Sequence, residues 1–274
     1  MTPPAPLAVV TIVHGRHEHL RRQLESLQRG SRVPDHHVVV VMGDPQLEQE
    51  LRRSPRTSVV AVDVDPGRLP LAAARNAGAL YALDLGSEVL VFLDVDCLAG
   101  PDLVLGYERA VRAEPDAVWS GPVTYLPAGL DDGALARPWL LDDPHPARPA
   151  PSPGERVLGA EPRLFWSLSF AMSEDAWSQA GGFHEGYVGY GGEDTDFGLQ
   201  VAQRGLQLGW VGDARAYHQH HPVDDPPVRH LDDILRNGRL FEERWGHWPM
   251  EGWLHRFEEM GLVRKLDGGW VRAS

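Results

Sequence analysis

The stretch "EVLVFLDVD", residues 88–96, decides the fold of this 274-residue chain. Its five apolar residues from Val89 to Leu93 form a continuous run, which is typical of a strand covered on both faces in a parallel sheet. Two aspartates, Asp94 and Asp96, follow directly. Because ligands bind beyond the carboxyl ends of parallel strands, the stretch predicts both a sheet and a site at its edge.

Outward from this strand, runs rich in β-branched residues alternate with helical patterns. Strands are predicted at residues 7–13, 37–44 and 57–65, a helix from Leu69 to Leu83, a strand within 163–173, a short helix from Glu174 to Ala180, and one or two strands within 205–221. Strands that alternate with helices favour an α/β fold with a mainly parallel sheet flanked by helices.

Two segments depart from this pattern. Residues 126–162 are rich in Pro, Gly, Asp and Arg and show little periodicity, which is typical of a functional loop or a lid. From about Val228 onward, apolar residues recur at helical spacing. We therefore predict one catalytic domain over residues 1–222 and a helical C-terminal extension over residues 223–274. Three tryptophans, Trp245, Trp248 and Trp253, are expected to pack this extension onto the domain.

Composition excludes several classes of function. The formal net charge is −13, whereas nucleic-acid binding needs clustered Lys and Arg. No apolar run approaches the roughly 20 residues that span a bilayer, and the start lacks the basic region of a secretory signal. A single cysteine, Cys97, cannot form an internal disulfide. These features predict a cytoplasmic protein, free or peripheral to a membrane, that binds no nucleic acid.

The first candidate site contains the two aspartates after the central strand and the histidines of "AYHQHH". Carboxylate oxygens suit Mg²⁺ or Mn²⁺, and imidazole together with carboxylate favours Mn²⁺. In an extended chain, His218 and His220 lie on the same side. We predict that Asp96 and one of the two histidines, His218 or His220, bind the metal ion, with His218 favoured. A nucleoside diphosphate is the natural ligand of such an ion.

A second acidic cluster lies in "GYVGYGGEDTDFGLQVAQRG", residues 186–205. Glu193, Asp194 and Asp196 follow a glycine-rich segment and begin a helical pattern. Acidic residues are common in the first turn of a helix, where they face the positive end of the dipole. That explanation accounts for one or two acids, and we assign Asp196 to the helix start. It leaves the glycines unexplained, since glycine is favoured where backbone must adopt positive φ or approach something closely.

With these segments in order, the sequence resembles the glycosyltransferases of the GT-A fold, especially family 2 and the galactosyltransferase C-terminal domain. The DXD motif of that group matches Asp94-Val95-Asp96, and its glycine-rich acidic motif matches "GYGGEDTD". The resemblance covers residues 7–222. It implies a Rossmann-like GT-A domain and a metal-dependent transfer of a hexose from a nucleoside diphosphate sugar, a UDP-sugar in first place or a GDP-sugar, to a small-molecule or glycan acceptor.

The resemblance also implies roles for individual residues. It makes Asp194 the catalytic base of an inverting reaction and Glu193 a residue that holds hydroxyl groups. Asp96 would bind the metal ion directly. The nucleotide-sugar-binding residues that it implies are Val13, His14, Arg16, Asp44, Arg75, Asn76, Asp94, Gly191 and Gly192. By itself, Asp44 in "GDP" is also typical of a turn.

Three other functions remain open from the sequence. The closest alternative is a retaining transferase on the same fold. A phosphatase of the haloacid dehalogenase type also places an Asp-X-Asp after an apolar strand, but its usual lysine has no good counterpart, since Lys265 is the only lysine. A non-catalytic binder of sugar nucleotides is the third, and the presence of two acidic clusters argues against it.

Overall fold

The computed structural model describes residues 5–54, 57–65, 67–222, 224–266 and 268–273. The strands are β1 (Leu7–Val13), β2 (His36–Met42), β3 (Ser58–Val62), β4 (Val89–Leu93), β5 (Cys97–Ala99), β6 (Ala117–Ser120), β7 (Val123–Tyr125), β8 (Arg156–Leu158), β9 (Ser169–Ser173), β10 (Gln207–Val211), β11 (Ala216–His218), β12 (Val263–Leu266) and β13 (Gly269–Arg272). The helices are α1 (His17–Gln28), α2 (Pro45–Leu51), α3 (Leu71–Asp84), α4 (Leu103–Ala113), α5 (Asp132–Leu135), α6 (Glu174–Ala180), α7 (Glu193–Gln203), α8 (Leu231–Trp245) and α9 (Glu251–Glu259).

Eight strands form the central sheet in the order β3-β2-β1-β4-β9-β6-β10-β8. Strands β1 to β4 are parallel to one another, and β6 is parallel to β10. Only β9 and the edge strand β8 run antiparallel to their neighbours. The sheet is therefore mainly parallel with helices on both faces, as the sequence predicts.

The central strands form because their apolar runs are buried on both faces. All seven residues of β1 are buried. On one face α3 packs closely, since a Cβ at Gly78 would lie 2.5 Å from Val10 Cγ1. On the other face, Leu103 and Tyr107 of α4 are fully buried in a second apolar cluster. These two layers fix the sheet edge where β1, β2 and β4 end.

A small second sheet lies beside that edge, in the order β5-β11-β7. The chain enters β5 directly after Asp96, and β11 pairs antiparallel with β5 so that His218 lies opposite Cys97. The end of β4 at Leu93 and the end of β11 at His218 are thereby brought together across 125 residues of sequence. The sequence range 205–221 forms two strands, β10 and β11.

The C-terminal extension contains α8 and α9, as expected, but it ends in a hairpin of β12 and β13 that the sequence analysis did not predict. Its own apolar core includes Ile234, Trp248, Phe257 and Trp270. The hairpin residues show no clear alternation, because only Val263 and Trp270 are buried. The hairpin strands pair with each other and with no strand of the central sheet.

Residues 126–162 are more structured than a loop. They include α5, a short 3₁₀ helix at Pro138–Leu141 and strand β8. Arg148 inserts into the domain, with its guanidinium 4.7 Å from the ring of Trp166 and 4.5 Å from that of Trp210. The function of this segment as a lid stays a prediction. Among the described residues, no helix has the length and apolar character needed to cross a membrane.

Candidate active site

The predicted site residues come together at the carboxyl ends of the parallel strands. Arg16 follows β1, Asp44 follows β2, and Asp94 and Asp96 occupy the turn between β4 and β5. Helix α7 begins with Glu193 close to the same edge, where Arg75 of α3 links it to Asp94. The sheet thus gathers residues that are far apart in the sequence into one site.

Three side chains form a group that could hold a metal ion. Asp96, His218 and His221 each offer a ligand atom, and these atoms all lie within 4.8 Å of one another. Oδ2 of Asp96 lies 3.5 Å from Nε2 of each histidine. We call these three residues the metal-side cluster. The side chain of His220 is exposed and lies outside this cluster.

Local structure explains why the metal-side cluster contains His221 and not His220. Strand β11 ends at His218, so the alternation of side chains that favoured His220 no longer holds beyond it. The buried Gln219 that follows donates its backbone N–H to the carbonyl of Asp96, 2.7 Å away, and its Nε2 to the carbonyl of His19. The chain then turns, and His221 faces Asp96.

The electrostatics of the metal-side cluster suit a cation. Arg16 adopts the left-handed conformation and hydrogen-bonds Oδ2 of Asp96. Although burial opposes ionisation, the histidines and Arg16 hold the pKa of Asp96 below its usual value. Burial lowers the pKa of His218, which favours the neutral imidazole that binds metals. The donor set, one carboxylate and two imidazoles, fits Mn²⁺.

A second group joins α3, the turn after β4 and the start of α7. Nη2 of the buried Arg75 donates to Oδ1 of Asp94 at 3.1 Å, and its Nη1 lies 3.6 Å from Oε1 of Glu193. The Arg75 guanidinium also lies 5.4 Å from the ring centre of Phe183. We call Arg75, Glu193 and Asp194 the base-side cluster. Within the described residues, Nη1 of Arg75 has no hydrogen-bond partner.

Glu193 and Asp194 are neighbours in different environments. Glu193 is only 8% exposed; its burial, reinforced by Asp194, raises its pKa to about 8 despite the nearby Arg75. Asp194 is partly exposed and accepts hydrogen bonds from Ser167, at 2.6 Å from the hydroxyl and 3.2 Å from the backbone N–H. The structure therefore holds an accessible carboxylate in a fixed orientation beside a buried one.

Asp196 lies in the first turn of α7, as the sequence predicts, but it does more than begin a helix. It is completely buried and accepts hydrogen bonds from Tyr187, Arg244 and Trp245. Because Arg244 and Trp245 belong to the last turn of α8, Asp196 anchors the C-terminal extension to the domain.

The glycines before Glu193 are explained largely by packing. Gly189, Gly191 and Gly192 all have positive φ. A Cβ at Gly189 would overlap the carboxyl group of Asp233, and one at Gly191 would lie 2.8 Å from Sδ of Met250. The segment therefore needs glycines to fit against the C-terminal extension. Contact of Gly191 and Gly192 with a sugar stays a prediction.

The last residue of β1 and the loop that follows it provide three of the predicted nucleotide-binding residues. Val13 is buried in the core, so its side chain is not available to a ligand. Nδ1 of His14 lies 2.7 Å from the carbonyl of Met42, which ties this loop to the end of β2. Arg16 is the one of the three whose side chain reaches another site residue, Asp96.

Asp44 connects two loops of the site. Its Oδ1 accepts a hydrogen bond from Leu47 N and so caps α2, while its Oδ2 lies 3.2 Å from Gly15 N and 2.8 Å from Nε2 of His17. Both carboxyl oxygens are thus used within the protein, in agreement with the turn interpretation. Recognition of a base by Asp44 stays a prediction.

Asn76 also has partners within the protein. Its Nδ2 donates to the carbonyl of Phe183 and to Glu185, both at 2.9 Å, and its Oδ1 accepts from Phe183 N. Asn76 therefore holds the segment that precedes the glycines. Asn76 directly follows Arg75, whose side chain reaches Asp94 instead.

Several residues beside the site do not stand out in the sequence. Ser167 fixes Asp194, and Tyr125 stacks on His218 with ring centres 4.5 Å apart. Tyr190 stacks on His230 of the C-terminal extension at 4.6 Å. Tyr190 lies within the quoted glycine-rich motif, so its position could have drawn attention to it. No local pattern marks Ser167.

The sequence is similar to those of known glycosyltransferases. Residues 162–222 match the family described as the N-terminal domain of galactosyltransferase. Validoxylamine A glucosyltransferases of Streptomyces hygroscopicus subsp. limoneus and of subsp. jinggangensis (strain 5008) are 25% and 24% identical to the chain over 247 aligned residues. The alignments cover 74% of this chain and 49% and 52% of those proteins. The chain thus spans about half the length of the curated relatives it matches.

Two solved structures share the fold. The crystal structure of GalNAc-T7 with UDP, GalNAc and Mn²⁺ superposes with a TM-score of 0.62 at 13% identity, over 94% of this chain and 57% of that one. Staphylococcus aureus TarS 1–349 gives a TM-score of 0.57 at 15% identity, over 86% and 64%. The chain therefore has the GT-A fold of these structures, and its sequence is similar to those of glycosyltransferases.

Proposed function

We propose that the chain transfers a hexosyl group from a nucleoside diphosphate sugar to an acceptor hydroxyl, with a divalent ion bound at the metal-side cluster. The observation that carries this proposal is the presence, at one sheet edge, of a carboxylate–imidazole group and a separate, oriented carboxylate. Support comes from GalNAc-T7, whose structure contains UDP, GalNAc and Mn²⁺, and from the two relatives named as glucosyltransferases.

The charges of the site favour a divalent ion. Because Glu193 holds its proton, the carboxylates of the site are Asp94, Asp96 and Asp194, against the two guanidinium groups of Arg75 and Arg16. Mn²⁺, or Mg²⁺ in its place, would be held by Asp96, His218 and His221. Such an ion offsets the charge that grows on a leaving diphosphate.

The remaining polar groups of the site are assigned to the donor. Arg16 and the backbone of Val13 and His14 would contact the nucleotide, for which UDP is favoured over GDP. Arg75 has a buried nitrogen without a hydrogen-bond partner among the described residues and would bind the sugar or diphosphate together with Asp94.

Asp194 suits the base of an inverting reaction better than Glu193 does. In that reaction the acceptor oxygen forms a bond to the anomeric carbon, the bond to the diphosphate oxygen breaks, and the hydroxyl proton goes to a carboxylate. Glu193 is buried and its pKa is raised to about 8, so it holds its proton at neutral pH. Asp194 is accessible and oriented by Ser167. Glu193 would position hydroxyl groups.

The test is a transfer and hydrolysis assay of the full chain with UDP- and GDP-hexoses, with Mn²⁺ or with EDTA. Validoxylamine A is a rational first acceptor, since the named relatives act on it. We expect turnover only with a divalent ion, and a product whose anomeric configuration is opposite to that of the donor, read from proton coupling by NMR. Full activity in EDTA would contradict the metal site, and a retained configuration would contradict the role of Asp194.

A further inference from the structure

Gln23 of α1 is a fully buried amide beneath the turn that contains Asp96. Its Nε2 lies 2.6 Å from the carbonyl oxygen of Asp94, 3.1 Å from that of Cys97 and 3.4 Å from that of Leu93. Three carbonyl oxygens from the end of β4 and the start of β5 therefore converge on one amide nitrogen.

The orientation of this amide is fixed from its other side. Oε1 of Gln23 accepts a hydrogen bond from the hydroxyl of Thr11 at 2.9 Å, and Oγ1 of Thr11 lies 3.1 Å from Nε2 of His37. The Thr11 hydroxyl has one proton, so it accepts from His37 when it donates to Gln23. Burial lowers the pKa of His37 to about 4, which leaves a neutral ring with its proton on Nε2.

The same turn is also held by the residue that follows β11, the strand that ends at His218. Gln219 follows His218 and donates its backbone N–H to the carbonyl of Asp96. The turn also closes on itself through Cys97 N and the carbonyl of Asp94, 2.8 Å apart. The backbone of Asp96 is thus fixed between α1 on one side and β11 on the other.

We propose that Gln23 is a positioning residue for the metal site, which sets the place of Asp96 relative to His218 and His221 through the carbonyls of the turn. The inference rests on the metal site of the proposed function. A neutral amide can donate two N–H groups to converging carbonyls. A glutamate there would direct carboxyl oxygens at the carbonyls, and a methionine would leave them without this donor.

A purely structural role for Gln23 predicts a different outcome, and the chain offers a matched control. Ser26 lies one turn further along α1, is buried, donates to the carbonyl of Gln23 at 2.7 Å and accepts from Ala99 N at 2.9 Å. Ser26→Ala removes a buried link between α1 and β5 without touching the carbonyls that converge on the amide.

The experiment measures Mn²⁺ affinity of the full chain in the presence of UDP, from the electron paramagnetic resonance signal of free Mn²⁺. Outer groups that orient metal ligands are worth roughly 10- to 100-fold in affinity. We expect a loss of that size for Gln23→Glu and a loss of about tenfold for Gln23→Met. Ser26→Ala should bind Mn²⁺ with unchanged affinity even if its melting temperature falls as much as that of the Gln23 variants.

Thr11→Val covers the case in which Gln23→Glu does not fold, because it removes only the hydroxyl that orients the amide; here too the Mn²⁺ affinity should fall. Folded Gln23→Met protein that binds Mn²⁺ as tightly as Ser26→Ala would overturn the role of Gln23 and leave the metal site intact. Failure of the wild type to bind Mn²⁺ would overturn the metal site itself.

Discussion

The metal-side cluster and the base-side cluster use their carboxyl groups in opposite ways. Asp96 belongs to a turn between two sheets and faces imidazole and guanidinium groups that keep it ionised. Glu193 begins a helix, and its burial keeps it protonated at neutral pH even with Arg75 at 3.6 Å. The comparison teaches that the surroundings of a carboxyl group, more than its place in a motif, decide what it can do.

Within the base-side cluster, two adjacent residues also differ in their surroundings. Asp194 and Glu193 are adjacent in the sequence, but only Asp194 is accessible and held by Ser167. A proton acceptor needs both properties. The predictions that follow separate the acids of this site from one another, beginning with the largest expected effect.

Asp194→Asn should give the largest loss of activity. The amide keeps the shape and the contact with Ser167 but cannot take the proton, so turnover should fall by about 10²–10⁴. Single-turnover transfer at saturating donor and acceptor measures this. Ser167→Ala is the matched control, because it leaves the carboxylate and its hydrogen bond from the backbone N–H and removes only the hydrogen bond from the hydroxyl, so its effect should be much smaller. Equal rates for wild type and Asp194→Asn would mean that the proton goes elsewhere.

Asp196→Ala should instead lower stability. Its carboxylate is buried and binds Arg244 and Trp245, and removal of one partner of a buried ion pair costs about 3–5 kcal/mol. Urea unfolding measures the free energy of unfolding. Asp232→Ala, at an exposed ion pair with Arg272, is the control and should change little. If the two variants were equally stable, Asp196 would not be the anchor of the C-terminal extension.

His221→Ala and His220→Ala form a matched pair for the metal side. Because His221 contributes to the metal-side cluster and His220 does not, only His221→Ala should lose metal affinity. The loss should be at least the roughly 10- to 100-fold that follows removal of a group that orients a ligand. Calorimetric titration with Mn²⁺ decides between them. Loss of affinity in His220→Ala alone would restore the ligand set that the sequence favours.

Much of the fold could be predicted because it depends on local patterns. The apolar β-branched run of β1 coincides with residues 7–13, and α6 has the bounds that were expected, Glu174 to Ala180. Both elements lie in the core. Strand β8 and the terminal hairpin were missed, since their residues are mostly exposed and pair only because a partner strand lies beside them.

The site was predictable in its residue types but less so in its partners. Asp96, His218 and Asp194 could be chosen from motifs, whereas the contact between Arg75 and Glu193 joins residues that no local pattern connects. The choice between His220 and His221 depends on where β11 ends. Contacts made only in the folded chain, such as that of Ser167 with Asp194, cannot be predicted from the periodicity of the sequence.

Glu193→Gln should make the protein more stable at alkaline pH, although it should raise the acceptor KM. The pKa of Glu193 is raised from 4.5 to about 8 on folding. Between these values the folded state binds a proton that the unfolded chain releases, so this group lowers the free energy of unfolding as pH rises. Relative to wild type, the variant should gain stability as the pH rises from 4.5 to about 8, and the gain should vanish near pH 4. Urea unfolding at several pH values measures the difference in the free energy of unfolding between the variant and the wild type. A wild type that becomes more stable relative to the variant as pH rises would contradict the prediction.

The central claim is that the metal-side cluster binds the ion and the diphosphate, whereas Asp194 takes the proton. Calorimetric binding of UDP, with and without Mn²⁺, to wild type, Asp96→Asn and Asp194→Asn tests this claim most directly. Because the metal-side cluster would hold the ion that binds the diphosphate, Asp96→Asn should lose the gain in UDP affinity that Mn²⁺ gives the wild type. Asp194→Asn should keep that gain. Retention of the gain by Asp96→Asn, or an equal loss in both variants, would contradict the account.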